Sequence, residues 1–176
     1  MQGKAFPPRI SMAQKGGIFL TLLILSLIAG GIFGIYYLSL DSLPGQFLYP
    51  VKQELEKIRL STTELSKVKR ALVYIDFANE RLSEAEALGK KGEEPGKIIP
   101  ALNKFLENEQ LIIKVMRQDT ARVEDATKVF EELKKLRDRQ EAVLDYLLGI
   151  TPDPEFYTIL DIKDKAMDTL NDYNLR

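Results

Sequence analysis

Between Lys15 and Asp41 the chain runs for 25 residues without a charge, from Gly16 to Leu40, as GGIFLTLLILSLIAGGIFGIYYLSL. A helix rises about 1.5 Å per residue, so this run is long enough to cross the ~30 Å hydrocarbon layer of a bilayer with some tilt. A soluble core helix rarely goes so far without an ionised side chain. Lys4, Arg9 and Lys15 are the only charged residues ahead of it, and no cation follows until Lys52. Because Lys and Arg favour the cytoplasmic side, the asymmetry predicts a cytoplasmic tail at 1–15, a transmembrane helix at 16–40 and an extracytoplasmic domain at 41–176. Tyr36 and Tyr37 stand near the outer end, where phenol rings suit the interface. A cleaved signal sequence is the rival reading, since Ala29-Gly30-Gly31 offers small residues after a shorter apolar stretch. The continued apolar run from Ile32 to Leu40 weighs against it. Gly17 ahead of an apolar run also invites a type IV prepilin reading, but Leu22 stands where that pattern places an acid. Ser26, Gly30 and Gly34 recur every four residues, a stripe of the kind that lets helices pack closely in lipid. Glycine is also simply common in membrane helices.

A chain of 176 residues has room for one compact domain beside such an anchor. With the three leading cations set aside, 22 Lys/Arg face 26 Asp/Glu, a net charge of −4. A mildly acidic domain lacks the footprint that phosphate backbones require, so no nucleic acid is expected as a partner. There is no Cys, which removes disulfides and thiolate chemistry, and no His, which removes the commonest general base and transition-metal ligand.

After the apolar run, Asp41-Ser42-Leu43-Pro44-Gly45 reads as a stop and a tight turn. Pro50 suits the first turn of a short helix whose apolar face would be Leu48, Val51, Leu55 and Ile58. A second helix is predicted from about Thr63 to Leu88 on the stripe Leu65, Val68, Leu72, Ile75, Leu82 and Ala85, with Asn79 on the same face. Gly89 to Gly96, GKKGEEPG, reads as a loop. A third helix carries Ile98, Leu102, Phe105, Ile112 and Met116, interrupted by Glu109, and Asp119-Thr120 offers a cap for the fourth. In that fourth helix Ala126, Leu133, Gln140 and Leu147 alternate with Val129, Leu136 and Val143. Gly149 and Pro152-Asp153-Pro154 end it, and a fifth helix carries Phe156, Ile159, Leu160, Ala166, Met167, Leu170 and Tyr173. No segment alternates with strand period. The expected fold is all-α, an elongated antiparallel helical bundle behind the single N-terminal transmembrane helix.

The run LPGQFLYPVKQELEKIRL, residues 43–60, resembles the opening of a bacterial family of helical, membrane-tethered extracytoplasmic domains of unknown function, which begins LPG-x-x-LYPVK-x-x-x-E. The helix with Ala78, Glu80, Arg81, Leu82, Glu84 and Ala85 is similar to that family's Ala/Glu/Arg-rich second helix, and RQEAVLDYLLGITPDPE to its closing helix pair. Where members often carry a His before Glu-x-Val-Leu, this chain has Gln140, so a role for that His does not transfer. The resemblance implies an envelope module, sometimes joined to anti-sigma-factor-like segments, for which the tail MQGKAFPPRISMAQK is short. It implies no activity.

Chemistry-bearing patterns are sparse. Ser66-Lys67-Val68-Lys69 matches Ser-x-x-Lys, in which a lysine can activate a serine, but it stands without a companion motif, and a solvated helix face reads better. Glu80, Glu84, Glu107, Glu109, Glu131 and Glu132 cannot complete a di-iron set without a Glu-x-x-His, and Asp153, Asp161 and Asp164 lack the spacing of an EF-hand loop. Most such acids are expected at the surface. Glu109, Asn79 and Gln140 lie on apolar stripes, where buried polar groups need partners and commonly fix helix register, and Arg81 or Lys114 is a candidate partner. Lys90, Lys91, Glu93 and Glu94 form an exposed loop tip, suited to a partner contact or simply to solubility.

By subtraction, the expected function is a non-enzymatic, membrane-anchored interaction or scaffold module of the cell envelope, with no cofactor and no metal. Its expected partners are the lipid bilayer and another envelope protein or a second copy. The alternative is an envelope sensor or transport accessory subunit that binds a ligand in a helical groove.

Overall fold

The structure, a computed structural model, describes residues 12–62, 66–117 and 123–171. Those residues form six α-helices and no strand: α1 (Met12–Leu40), α2 (Tyr49–Thr62), α3 (Lys67–Lys90), α4 (Pro95–Arg117), α5 (Val123–Ile150) and α6 (Glu155–Asn171). The all-α expectation holds there. Thr63, Leu65, the Asp119-Thr120 cap and Tyr173 lie outside the described residues.

Helix ends follow local chemistry. Ser66 is the N-cap of α3, its side-chain oxygen accepting from the Lys69 backbone N–H at 3.3 Å. The Ser-x-x-Lys spacing is thus the spacing of a helix start. At the other end, Gly92 N–H donates to the Gly89 carbonyl and Glu93 N–H to the Leu88 carbonyl, with Gly92 at φ +68°. This reciprocal closure needs a left-handed residue, which glycine supplies. Gly89 and Lys90 therefore belong to α3, Pro95 and Gly96 to α4, and the expected eight-residue loop contracts to the turn between them.

The core lies among α3 to α6. Helix α3 packs on α4 and α5, and α6 packs on the same two helices from the opposite corner. Ile75, Leu82, Ile98, Leu102, Phe105, Leu133, Leu136, Leu144 and Ile159 are buried in one continuous cluster. Helices α5 and α6 run antiparallel, since Lys163 pairs with Asp145 while Met167 meets Gln140. The pair α3 and α5 departs from the expected antiparallel arrangement. Arg139 of α5 reaches Asn79 and Ser83 of α3, and further along both helices Gly89 faces Leu147 and Ile150, so the two run in the same direction. A Cβ on Gly89 would stand 2.7 Å from Leu147 Cδ2. The missing side chain lets the two helices approach closely there, and Ala71, Ala78 and Ala85, seven residues apart on α3, are fully buried. Short connections favour antiparallel neighbours only where consecutive helices pack together, and α5 packs on α3 instead of α4.

Helix α2 contradicts its apolar-face expectation. Its one buried residue is Lys52, whereas Leu48, Val51 and Leu55 are half-buried and Ile58 is 55% exposed. Ionic contacts to α3 hold this helix, and its apolar side chains border the space beside α1.

Because the core excludes α1, residues 41–176 are expected to fold without it and to give a helix-dominated circular dichroism spectrum. In urea unfolding of that fragment, Phe105→Ala should cost about 3 to 5 kcal/mol. Leu72→Ala, at a half-buried side chain, should cost less.

Candidate functional site: a buried ionic cluster

One helix turn of α3 carries Arg81 and Glu84, both on its buried face, with exposures of 1% and 3%. Two charges at such depth require partners, and α2 supplies them. Lys52 Nζ donates to Glu84 Oε1 at 2.6 Å, and Arg81 Nη1 donates to Glu84 Oε2 at 2.8 Å. Tyr49 Oη donates to the same Glu84 Oε2 at 3.2 Å and accepts from Arg81 Nη1, while Arg81 Nη2 pairs with Glu56. The Arg81 guanidinium also lies 5.6 Å from the centre of the Tyr49 ring. Tyr49, Lys52 and Glu56 fall at helical spacing, so one face of α2 presents a phenol, an ammonium and a carboxylate to one turn of α3.

The electrostatics follow from burial. Desolvation pushes the Tyr49 phenol up to about 12, opposed by Arg81, and Glu84 raises it further. It also raises Glu56 above the ordinary carboxylate range, opposed by Arg81. A second, exposed layer surrounds the first: Arg59 pairs with Asp76, lies 4.0 Å from Glu80 and sits over the Phe77 ring at 5.6 Å. The inner groups satisfy one another. Such an arrangement suits a latch between two helices better than an open catalytic centre.

Glu109 is the second unusual group. Fully buried on α4, it has neither carboxylate oxygen hydrogen-bonded among the described residues, and desolvation pushes its pKa up to about 9. Neither expected partner reaches it: Arg81 is committed to α2, and Lys114 is exposed. On α5, buried Gln140 donates from Nε2 to Met167 Sδ at 3.6 Å and leaves Oε1 unpaired. Asn79 donates to the Ile75 carbonyl and accepts from Arg139, so it is satisfied.

The remaining sequence candidates are scattered. Ser26, Gly30 and Gly34 are exposed on α1, and nothing lies within 4 Å of a Cβ placed on either glycine. Half of the loop tip is locally neutralised, since Lys90 pairs with Glu86 at 2.5 Å and Glu93 with Lys97 at 2.6 Å. Those pairings raise the Lys90 pKa and lower that of Glu93. Lys91 is exposed and Glu94 is exposed. Asp161 pairs with Lys165, and no group of three or more Asp or Glu is placed to hold a metal among the described residues. The expectation that Glu84 is a surface acid is overturned. The signal was available in Lys52 and Glu56 on α2 facing an Arg81/Glu84 pair that shares a face with Ala78, Leu82 and Ala85.

The geometry defines a class: a helical bundle bound to a preceding apolar helix through a short, ionically latched adaptor helix. Residues 41–142 match the family described as Domain of unknown function (DUF5667), more than half of the 176 residues, and the chain belongs to that family. The match begins at the end of α1 and takes in both sides of the latch. No curated protein and no solved structure matches the chain.

Truncation of Glu84 strands Lys52 and Arg81 in a dry site. Glu84→Ala in the 41–176 fragment should therefore cost about 3 to 5 kcal/mol by urea unfolding. Glu109 sets a pH dependence of known sign. With a folded pKa near 9 against an ordinary 4.5, it holds a proton in the folded state that the unfolded chain has released, so its contribution to stability is intact below pH 4.5 and falls as pH rises to 9. The slope should approach about 1.4 kcal/mol per pH unit at most. Glu109→Gln should flatten stability across that window; an unchanged slope in the variant would exclude Glu109 as its source.

Proposed function

We propose that the chain is a non-enzymatic interaction or scaffold module of the cell envelope, anchored by α1 with its N-terminus in the cytoplasm and residues 41–176 outside. One observation carries the reading: an apolar helix with solvent-facing side chains is joined to the bundle through the buried Lys52–Glu84–Arg81–Glu56 latch. The stretch Phe19–Leu40 is 22 residues long, and Leu20, Leu23, Ile28 and Phe33 are exposed along it. Lipid would cover them. The latch then gives the bundle a defined attitude to the anchor, and tethering raises the effective concentration of its surface near the membrane. Pairing of two anchors through Ser26, Gly30 and Gly34 would double that surface.

A second reading has its own observation. Between α2, α3 and α4 lies a cavity of about 180 Å³, with Tyr74, Phe77 and Arg81 on one wall and Lys104 and Asn108 on the other. A groove with aromatic walls and a few polar groups suits a small ligand, as an envelope sensor or transport accessory subunit would need. A saturable rise in thermal stability with a defined small molecule, abolished by Phe77→Ala, would favour this reading over the scaffold.

The native chain lacks Cys, so introduced cysteines report topology cleanly. In intact cells an impermeant maleimide is expected to label Lys91→Cys, with Ser11→Cys reacting only after lysis and the intact mass retaining residues 1–40. The reverse pattern would invert the topology. Crosslinking in native membranes should attach a protein partner to the outer domain. Capture unchanged by combined charge reversal of Lys90, Lys91, Glu93 and Glu94 would exclude the loop tip as its contact.

A further inference from the structure

The first turn of α3 is built against its own dipole. Lys67, Lys69 and Arg70 stand there without an acid, where a helix N-terminus favours negative charge. Local helix chemistry therefore gives no reason for three cations at this position. Helix α4 supplies two more. Arg81 and Lys104, Phe77 and Asn108, and Tyr74 and Leu111 line one cavity, so α3 and α4 run antiparallel in a register that brings Arg70, one turn before Tyr74, to the level of Lys114, one turn after Leu111. Arg117 follows a turn later. Lys69, Lys114 and Arg117 are exposed, Arg70 is half-buried, and none of these four side chains is ion-paired among the described residues. From Lys67 to Ile75 and from Gln110 to Arg117 the two helices carry five cations and no acid, which leaves 17 Lys/Arg against 26 Asp/Glu in the rest of residues 41–176. A domain that is acidic as a whole thus concentrates cations at one end of one helix pair.

The connectivity says which end this is. Thr62, the last residue of α2, lines the same cleft as Tyr36, one turn short of the end of α1, so α2 doubles back along α1. Helix α3 then runs antiparallel to α2, with Lys52 meeting Glu84, Glu56 meeting Arg81 and Arg59 meeting Asp76. Its first turn therefore lies at the end of the bundle from which α1 arrives, together with the last turn of α4. Helix α5 runs with α3 and finishes at the opposite end, where residues 141–155 carry Glu141, Asp145, Asp153 and Glu155 and no cation.

We propose that this cationic end of α3 and α4 binds the anionic phospholipid headgroups of the bilayer that α1 spans. The proposal rests on α1 being a membrane anchor. Tyr36 then marks the interface, and the end of α2 and the start of α3 lie near headgroup depth. The cations face the negative surface and the acidic segment at 141–155 points away, so attraction at one end and repulsion at the other orient the bundle in the same sense. Exposed Lys and Arg side chains act on phosphates without a fixed geometry, so surface charge is what they select. An acidic protein would suit the same charges, but the tether keeps the bilayer within reach at all times.

The chain has no Cys, so Gln110→Cys and Glu94→Cys each carry one donor dye on the full-length protein, reconstituted in vesicles with an acceptor dye on a lipid headgroup. Both sites are exposed, and they lie roughly 24 Å apart along α4 at about 1.5 Å per residue. With phosphatidylglycerol in the vesicles, transfer from position 110 should exceed transfer from position 94 several-fold. It should fall in phosphatidylcholine, and in ~1 M salt, where the Debye length is about 3 Å. Lys69→Gln, Arg70→Gln, Lys114→Gln and Arg117→Gln combined should remove the dependence on lipid charge. The first two substitutions relieve the α3 dipole, and an unchanged circular dichroism spectrum checks that the fold survives. Equal transfer from both positions in phosphatidylglycerol would overturn the seating of this end on the bilayer. High transfer from position 110 in both lipids would overturn the charge recognition while the anchor stands. A lipid-charge dependence that persists in the quadruple variant would overturn the assignment to these four residues. Failure of the chain to float with the vesicles would overturn the anchor reading and the proposal together. A protein crosslinked through position 110 in native membranes and lost in the quadruple variant, with transfer indifferent to lipid charge, would assign the patch to an acidic protein instead.

Discussion

The seat of α2 on the bundle depends on one guanidinium. Arg81 is 1% exposed, and its buried charge is met by Glu84 on its own helix and by Glu56 and Tyr49 on α2. Lys52 balances Glu84 from the other side. The two helices are thus held by directional, charge-assisted hydrogen bonds, which fix rotation and register together. A purely apolar contact would tolerate sliding by a turn more easily. Net stability is a separate matter, because desolvation offsets much of the Coulomb gain in any buried ion pair. Specificity of arrangement is the better physical reason for such a cluster, and it fits a helix that otherwise buries no side chain but Lys52.

A different compromise operates inside the bundle. Glu109 and the Gln140 carbonyl oxygen are buried without hydrogen-bond partners among the described residues, which lowers stability relative to an apolar core. Neutral Glu109 is less costly than its carboxylate would be, and burial shifts its proton affinity accordingly. The contrast with Glu84 is informative. Two glutamates of similar burial differ in their surroundings: Lys52 and Arg81 lie 2.6 to 2.8 Å from one, and the carboxylate oxygens of the other have no hydrogen-bond partner among the described residues.

Much of the fold was legible from periodicity. The apolar run, the helical stripes of α3 to α6 and the glycine-bearing turn at Gly92 are all visible in the residue order, because helix period and turn chemistry are local properties. Partner choice among helices was not. The parallel pairing of α3 with α5 depends on the close approach at Gly89, which reads in sequence as the start of a loop. Helix α2 misled for a related reason: Leu55 and Ile58 look like a core face, yet Lys52 is the buried residue. Hydrophobicity ranks side chains one at a time, whereas burial of a charge depends on what stands opposite. The motif residues Tyr49, Lys52 and Glu56 could be quoted from the sequence, but their convergence on Arg81 and Glu84 required three dimensions.

The latch shares α2 and α3 with a cleft of about 460 Å³ beside it, whose third wall is Tyr36 and Leu40 of α1, and this couples them. Lys52 and Glu56 line the cleft with one side of their chains and hold Glu84 and Arg81 with their charged ends. Arg59 and Glu80, at the cleft mouth, belong to the outer layer of the same ion network. A change in what occupies the cleft therefore alters the solvation of the groups that bind α2 to α3. Less water around Glu56 and Lys52 strengthens their Coulomb attraction to Arg81 and Glu84, and more water weakens it. Whatever lies against the C-terminal end of α1 in this cleft thus shares a boundary with the groups that bind α2 to α3.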